Sequence, residues 1–261
     1  MGQKGFEFIE MPIRTRAEKP REVGLNFHGD WGKSLREVED LCEALGEWLD
    51  IVKLAVLTGR LMDRDLTKRK IEVYTENQIR VFPGGMTLEA ALVCNKVAEF
   101  FDEAEDLGCT VVEVSESEVH MDPRTKLKLV EMGVERGFTV VAEMGPHHPD
   151  EPFSVADTVK RAREFLEAGA WKIVLEGEVN AMMKPWADSA GADKMLTLIN
   201  GIGPEQVITE VGGGWPFIEW MILNFGSDVN FGNVQADMIM PIEHVRRGLN
   251  RNTWFGKFHS L

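Results

Sequence analysis

Acidic residues recur at one kind of place in this chain, the end of a short apolar run. Glu113 closes the run at residues 109–114, Glu143 that at 138–143, Glu176 that at 171–176 and Glu210 that at 206–210. Asp30 follows a first run at 23–28, and Lys53 lies inside a second at 48–56. Taken singly, each acid reads equally well as a helix cap or a solvated charge. Gathered at one mouth, five carboxylates repel and need a cation or shared protons. A hard ion such as Mg²⁺ takes oxygen ligands and keeps waters that reach a substrate phosphate. A lysine among acids stays charged and can hold an anion or donate a proton. The chemistry expected of this set is a metal-assisted reaction on a small anionic molecule through an enolate-like state. Mg²⁺ and Lys53 would face the developing oxyanion charge.

Other residues could complete such a site. Gly84-Gly85 precedes a helical stretch, where free backbone N–H groups bind an anion or simply make a tight turn. Gly212-Gly213-Gly214 follows Glu210, and the last apolar run carries Asn230, Gly232 and Asn233. His147 and His148 stand close after Glu143. They could ligate Zn²⁺ or Fe²⁺ with it, or belong to a surface loop. His28 is expected at the mouth, and Trp31, Trp186 and Trp215 fall in loops that could line it.

Something must hold these groups together. The chain alternates eight short apolar runs with amphipathic stretches. Near-continuous apolar strands covered by helices imply a parallel sheet. Eight such units suit a single (β/α)₈ barrel, which needs about 250 residues and carries its site at the C-terminal ends of the strands. A doubly wound open sheet would show a Gly-rich nucleotide turn after its first strand, and Gly24-Leu25-Asn26-Phe27-His28-Gly29 is not one. The expected organisation is one domain over 1–261, with 1–22 an N-terminal extension. Within it, Thr87 is expected to cap a helix running to about Leu107, and Pro241 to open the last helix.

Composition narrows the function. Of 261 residues, 29 are Lys or Arg and 43 Asp or Glu, a net charge of −14. That excess argues against nucleic acid and an anionic membrane surface as partners, because both need a basic footprint. No apolar run is long enough to span a bilayer. The three cysteines, Cys42, Cys94 and Cys109, form no CxxC, which fits a reducing cytoplasm. Barrels of this size commonly self-associate, so a symmetric homo-oligomer is expected.

The strand-end pieces, in order, resemble the phosphosulfolactate synthase family of coenzyme M biosynthesis. They are Gly24-Leu25 with Asp30, Asp50-Ile51-Val52-Lys53, Asp63-Arg64-Asp65, Phe82-Pro83-Gly84-Gly85 and Val112-Glu113-Val114-Ser115. Glu143-Met144-Gly145, Ala168-Gly169-Ala170, Glu176-Gly177, Val229-Asn230 with Asn233, and Arg246-Arg247-Gly248-Leu249 with Thr253 complete the series. The resemblance implies a (β/α)₈ barrel that adds sulfite to phosphoenolpyruvate with Mg²⁺, giving (R)-2-phospho-3-sulfolactate. It implies Lys53 at the carboxylate or phosphate of phosphoenolpyruvate. Asp30, Glu113, Glu143, Glu176 and Glu210 become metal ligands or their supports. The expected substrate contacts are Asp30, Gly84, Gly85, Glu178, Gly212, Gly213, Asn230, Gly232 and Asn233.

The chain also departs from that pattern. Pro146-His147 replaces basic residues after the fifth-strand Glu, and Glu178 stands where the family has an arginine. Val211-Gly212-Gly213 replaces Ala-Pro after strand seven. His147, titrating near neutrality, is then the expected acid beside Lys53 and Glu143, with Lys184 a second cation able to reach in. Two alternatives accompany the synthase expectation. One is a diverged enzyme acting on a less anionic substrate. The other is a non-enzymatic stress-related protein, because a plant heat-stress-associated protein is similar in sequence.

Overall fold

The computed structural model describes residues 4–8, 16–146 and 153–250. Its elements run β1 (Asn26–Asp30), α1 (Leu35–Leu45), β2 (Ile51–Leu54), α2 (Thr58–Leu61), α3 (Arg64–Glu76), β3 (Arg80–Pro83) and α4 (Gly85–Val93). Then come α5 (Val97–Leu107), β4 (Val111–Val114), α6 (Pro123–Glu135), β5 (Thr139–Met144), α7 (Val155–Glu167) and β6 (Lys172–Leu175). The chain continues through α8 (Gly177–Met183), α9 (Ser189–Ile202), β7 (Val207–Glu210), α10 (Gly214–Phe225), β8 (Asn230–Val234) and α11 (Ala236–Arg246).

The strands form one parallel sheet in the order β3-β2-β1-β8-β7-β6-β5-β4. Its two ends meet. Thr110, just before β4, donates its N–H to the Val81 carbonyl of β3 at 2.9 Å and accepts the Val81 N–H on its hydroxyl at 3.2 Å. The result is the expected (β/α)₈ barrel.

Side-chain parity divides the core in two. Alternate strand residues point inward and outward. Phe27, Ile51, Phe82, Val111, Val141, Val174 and Ile208 point inward and, with Leu25, fill the barrel as a dry plug. Outward residues such as Val52, Val81, Val112, Val140 and Ile173 join the helices' apolar faces in a larger outer core. The strands are short and β-branched, so they pack well on both faces.

Helix starts follow their side chains. Ser34 and Glu37 form a capping box at α1. Asp63, Asp122, Ser154 and Asp188 cap α3, α6, α7 and α9 by accepting backbone N–H groups. One expected helix proves to be two. The stretch up to Leu107 breaks at Cys94–Lys96, where Asn95 takes a left-handed backbone (φ 54°) that asparagine tolerates. Nor does Thr87 cap it. Gly84 occupies that position, and the Thr87 hydroxyl donates to the Val56 carbonyl at 2.9 Å. The last helix starts at Ala236 with Pro241 inside it, not at its opening.

Residues 16–22 close the bottom of the barrel. Lys19 Nζ donates to the Gly46 and Leu49 carbonyls at 2.7 Å each, and Arg21 Nη1 pairs with Asp50 Oδ1 at 2.9 Å. Arg16 Nε pairs with Glu243 Oε2 at 3.0 Å. Among the described residues no helix is long and apolar enough to cross a membrane.

Candidate active site

The site lies one layer above the plug. From Ile51, Val111, Val141, Val174 and Ile208, two residues further along each strand leads to Lys53, Glu113, Glu143, Glu176 and Glu210. Period-two geometry therefore turns all five inward over an apolar floor. With Gly29, Trp31, Gly84, Gly85, Ser117 and Asn233 they line a cavity of about 370 Å³ at the C-terminal mouth.

Lys53 is the centre of charge. Its Nζ stands 3.6 Å from Glu113 Oε2 and 3.6 Å from Glu210 Oε1, and 5.1 Å from the Phe27 ring centroid below. Burial works against its charge, but Glu113, Glu210, Glu143 and Glu176 outweigh burial and hold the ammonium charged far above the ordinary lysine range.

The acids divide the negative charge unequally. Burial, reinforced by Glu113 and Glu176, holds the Glu143 carboxyl well above its usual range despite Lys53. Burial also pushes Glu210 up to about 7, with Lys53 opposing and Glu176 and Glu113 adding to it. Converged carboxylates thus share protons as well as a cation. Each acid is oriented. Glu113 Oε2 accepts the Gly85 N–H at 2.8 Å, at the positive end of α4. Glu143 Oε1 accepts the Ser117 hydroxyl at 3.1 Å. Glu176 caps α8 by accepting the Gly177 N–H at 3.0 Å. Asn233, which lines the cavity, opposes the rise at Glu210.

Behind this ring, Glu89 organises the loop after β4. Its buried carboxylate accepts the Ser115 hydroxyl, the Ser117 N–H at 2.9 Å and the Glu118 and Val119 N–H groups at 2.8 Å each. Burial alone would raise its pKa; these bonds outweigh burial and hold it below the usual range. Neither Glu89 nor Ser117 ends an apolar run, so strand-end reasoning passes over both. The one local signal is a charge on the buried face of an otherwise apolar helix.

The donor set suits a hard cation. Among the described residues no group of three or more His, Cys, Asp or Glu stands ready as a metal cage. Mg²⁺, however, commonly takes only one or two carboxylates and completes its shell with water and substrate oxygens. Glu113 Oε1 and Glu210 Oε1 are buried and make no hydrogen bond, so both have lone pairs to offer.

Several expected contacts fall elsewhere. Asp30 has outward parity. It pairs with Lys70 Nζ at 2.9 Å, accepts the Tyr74 hydroxyl at 3.0 Å and takes the Gly32 and Lys33 N–H groups at 2.8 Å each. It ties β1 to α3 and does not line the cavity. His28 also faces outward, with Nδ1 2.8 Å from the Val234 carbonyl. Asn230 points inward at the opposite end of the barrel and bonds the Leu25 N–H and the Val207 carbonyl. Gly232 lies beneath the cavity, where a Cβ would touch Phe27 and Ile208. Gly212 abuts the Gly177 backbone and Gly213 the Trp186 ring, so both are close-approach positions. Glu178 is half-buried in the first turn of α8 and does not line the cavity. His147 and His148 lie outside the described residues.

Known proteins bear the same stamp. The sequence profile of the (2R)-phospho-3-sulfolactate synthase family matches residues 14–252. A phosphosulfolactate synthase of Methanocaldococcus jannaschii is 32% identical over 97% of this chain and 99% of its own length. One from Methanothermobacter thermautotrophicus is 31% identical over 95% and 96%. Among solved structures, dihydrodipicolinate synthase from Agrobacterium tumefaciens shares the fold, at TM-score 0.58 and 13% identity over 90% of this chain and 77% of its own. With a profile match across nearly the whole chain and relatives above 30% identity, this protein belongs to the (2R)-phospho-3-sulfolactate synthase family.

Proposed function

We propose that this chain is a lyase that adds sulfite to phosphoenolpyruvate with the help of Mg²⁺. The observation that carries the reading is the ring of four glutamates around Lys53, three of them buried, set directly above the barrel plug. Glu113 and Glu210 would hold the ion, which supplies positive charge to the substrate's carboxylate and phosphate. In the addition, the sulfur lone pair forms a C–S bond to the methylene carbon and the double-bond electrons move toward the carboxylate. Lys53 presents its ammonium to that charge. A proton must then reach the carbon bearing the phosphate. Glu143 keeps its proton into a range where an ordinary glutamate has lost it, and so is the described group suited to give it. His147 is the second candidate for this step. Glu143 would afterwards regain a proton from water.

The test is ³¹P NMR of phosphoenolpyruvate with Mg²⁺ and sulfite. The expected result is loss of its signal and growth of a new phosphate-ester signal that requires sulfite and Lys53. An unchanged spectrum with metal demonstrably bound overturns the assignment.

A second reading rests on a specific observation. Lys53 is the one cationic side chain that lines this cavity among the described residues, and Glu178 brings a negative charge to the neighbouring helix start. A less anionic substrate fits that balance. Mass spectrometry of metabolites retained by the purified protein distinguishes it. Sulfite-dependent activity created by Glu178→Arg would support divergence from the family reaction.

A further inference from the structure

Beside the glutamate cavity lies a larger one of about 720 Å³, walled by the loops after β4 and β5, by α6 and by the start of α7. Ser117 lines both cavities. Two basic side chains face the second. Lys126, on α6, is 3% exposed; its Nζ donates to the Glu143 carbonyl at 2.6 Å and stands 3.4 Å from Glu116 Oε2. Arg161, on α7, brings Nη2 to 3.7 Å from the same oxygen, and its Nε is buried without a hydrogen bond. His120 Nδ1 lies 2.9 Å from Glu116 Oε1.

One carboxylate thus stands among an arginine, a lysine and a histidine; burial lowers the Lys126 pKa, with Glu116 and Glu143 opposing. Charge-assisted hydrogen bonds run about 2.7–2.9 Å. Glu116 at 3.4 and 3.7 Å satisfies neither basic group fully, so N–H donors are left over. The other acids on the wall, Glu118 and Asp157, are exposed, where water screens them. Ser154 and Thr158 add hydroxyls along α7. A planar guanidinium beside a point-charge ammonium suits an oxyanion with several acceptor oxygens.

The geometry points to a subsite for a phosphate or sulfonate group between Arg161 and Lys126, in the cavity that shares Ser117 with the Lys53 site. Which reactant's oxyanion fills it rests on the lyase reading; the subsite itself does not. It also gives an anionic substrate the cations that the glutamate cavity lacks. Through the Lys126 bond to the Glu143 carbonyl and the Ser117 bond to its carboxylate, the two cavities share one acid.

The test is calorimetric titration of inorganic phosphate into the 261-residue chain, metal-free, as wild type, Arg161→Gln, Glu116→Gln and Lys53→Met, each with native circular dichroism. Losing a charged hydrogen-bond donor predicts about tenfold or more weaker binding for Arg161→Gln. Glu116→Gln removes the competing charge and should bind more tightly. Lys53→Met should change affinity by less than about threefold. The proposal is overturned if wild type shows no saturable binding, if Glu116→Gln does not tighten it, or if Lys53→Met abolishes it while Arg161→Gln does not. Should Arg161→Gln fail to fold, Arg161→Lys replaces it. That variant keeps the charge and loses the fork, so weaker binding is again expected and unchanged binding overturns the proposal. Phosphate binding in the expected pattern without turnover of phosphoenolpyruvate and sulfite would sink the lyase reading and leave the subsite standing.

Discussion

Lys53 and Glu210 set the electrostatic balance of the mouth between them. The ammonium is the only described positive charge in the cavity, so its removal should cost more than a packing change would. Losing one preorganised stabiliser of developing negative charge typically costs about 10²–10³ in turnover. Lys53→Ala is therefore expected to lower sulfite-dependent phosphoenolpyruvate consumption by about that factor, read by ³¹P NMR. Glu210 makes a prediction of a different kind. Folding raises its pKa from 4.5 to about 7, so between those values the folded chain holds a proton that the unfolded chain has released. The Glu210 contribution to the stability of metal-free protein should then fall as pH rises from about 4.5 to about 7, and Glu143, also raised, adds a loss of the same sign. Urea unfolding across that range should show the slope, and Glu210→Gln should make it shallower. A slope of opposite sign that Glu210→Gln abolished would show that Lys53 dominates this carboxyl.

At the scale of elements, parity decides what reaches the mouth. Lys53, Glu113, Glu143 and Glu210 each lie two residues beyond a plug residue, and Asp30 lies three beyond Phe27. That odd step sends Asp30 out to Lys70 and Tyr74. The turns that follow the strands carry their own constraint. A Cβ on Gly212 would sit 2.3 Å from the Gly177 carbonyl oxygen, backbone against backbone. Gly212→Ala should therefore force the β6–α8 and β7–α10 turns apart and cost about 1–3 kcal/mol. A glycine that only cradles a phosphate would leave stability unchanged and raise KM; urea melts beside steady-state kinetics separate the two roles.

For the whole molecule, the two ends of the barrel do different work. Conservation of shape at the bottom depends on a buried ionic lattice. Glu243 accepts from Arg16 at 3.0 Å and from Asn26 at 3.2 Å, with Arg246 Nε 3.4 Å away, and all four residues have side chains almost wholly removed from water. Breaking a buried pair by removing one partner leaves an uncompensated charge and costs about 3–5 kcal/mol. Glu243→Ala should lower stability by that amount in chemical denaturation, while the kcat of the protein that remains folded stays at the wild-type value. A loss of kcat without loss of stability would contradict the division between a structural bottom and a reactive mouth.

How much of this was legible beforehand follows from the range of each interaction. Alternating apolar runs and capped amphipathic stretches specify strands, helices and an eight-fold repeat, because those preferences act between near neighbours. They reach as far as Glu113, Glu143, Glu176, Glu210 and Lys53, since an acid or lysine at the end of an apolar run lands at a barrel mouth. The break at Asn95 and the start of α11 ahead of Pro241 were not legible, because asparagine tolerates a left-handed backbone without requiring it and proline disfavours a helix interior without forbidding it. Tertiary structure decided the rest. Strand register chose inward or outward for Asp30 and His28, and the level along β8 placed Asn230 at the bottom. Only folding brings Glu89 under the Ser115–Val119 loop, or Lys126 and Arg161 to one carboxylate, across separations of 10 to 45 residues. No local pattern encodes such meetings; they follow from how eight strands close on one another.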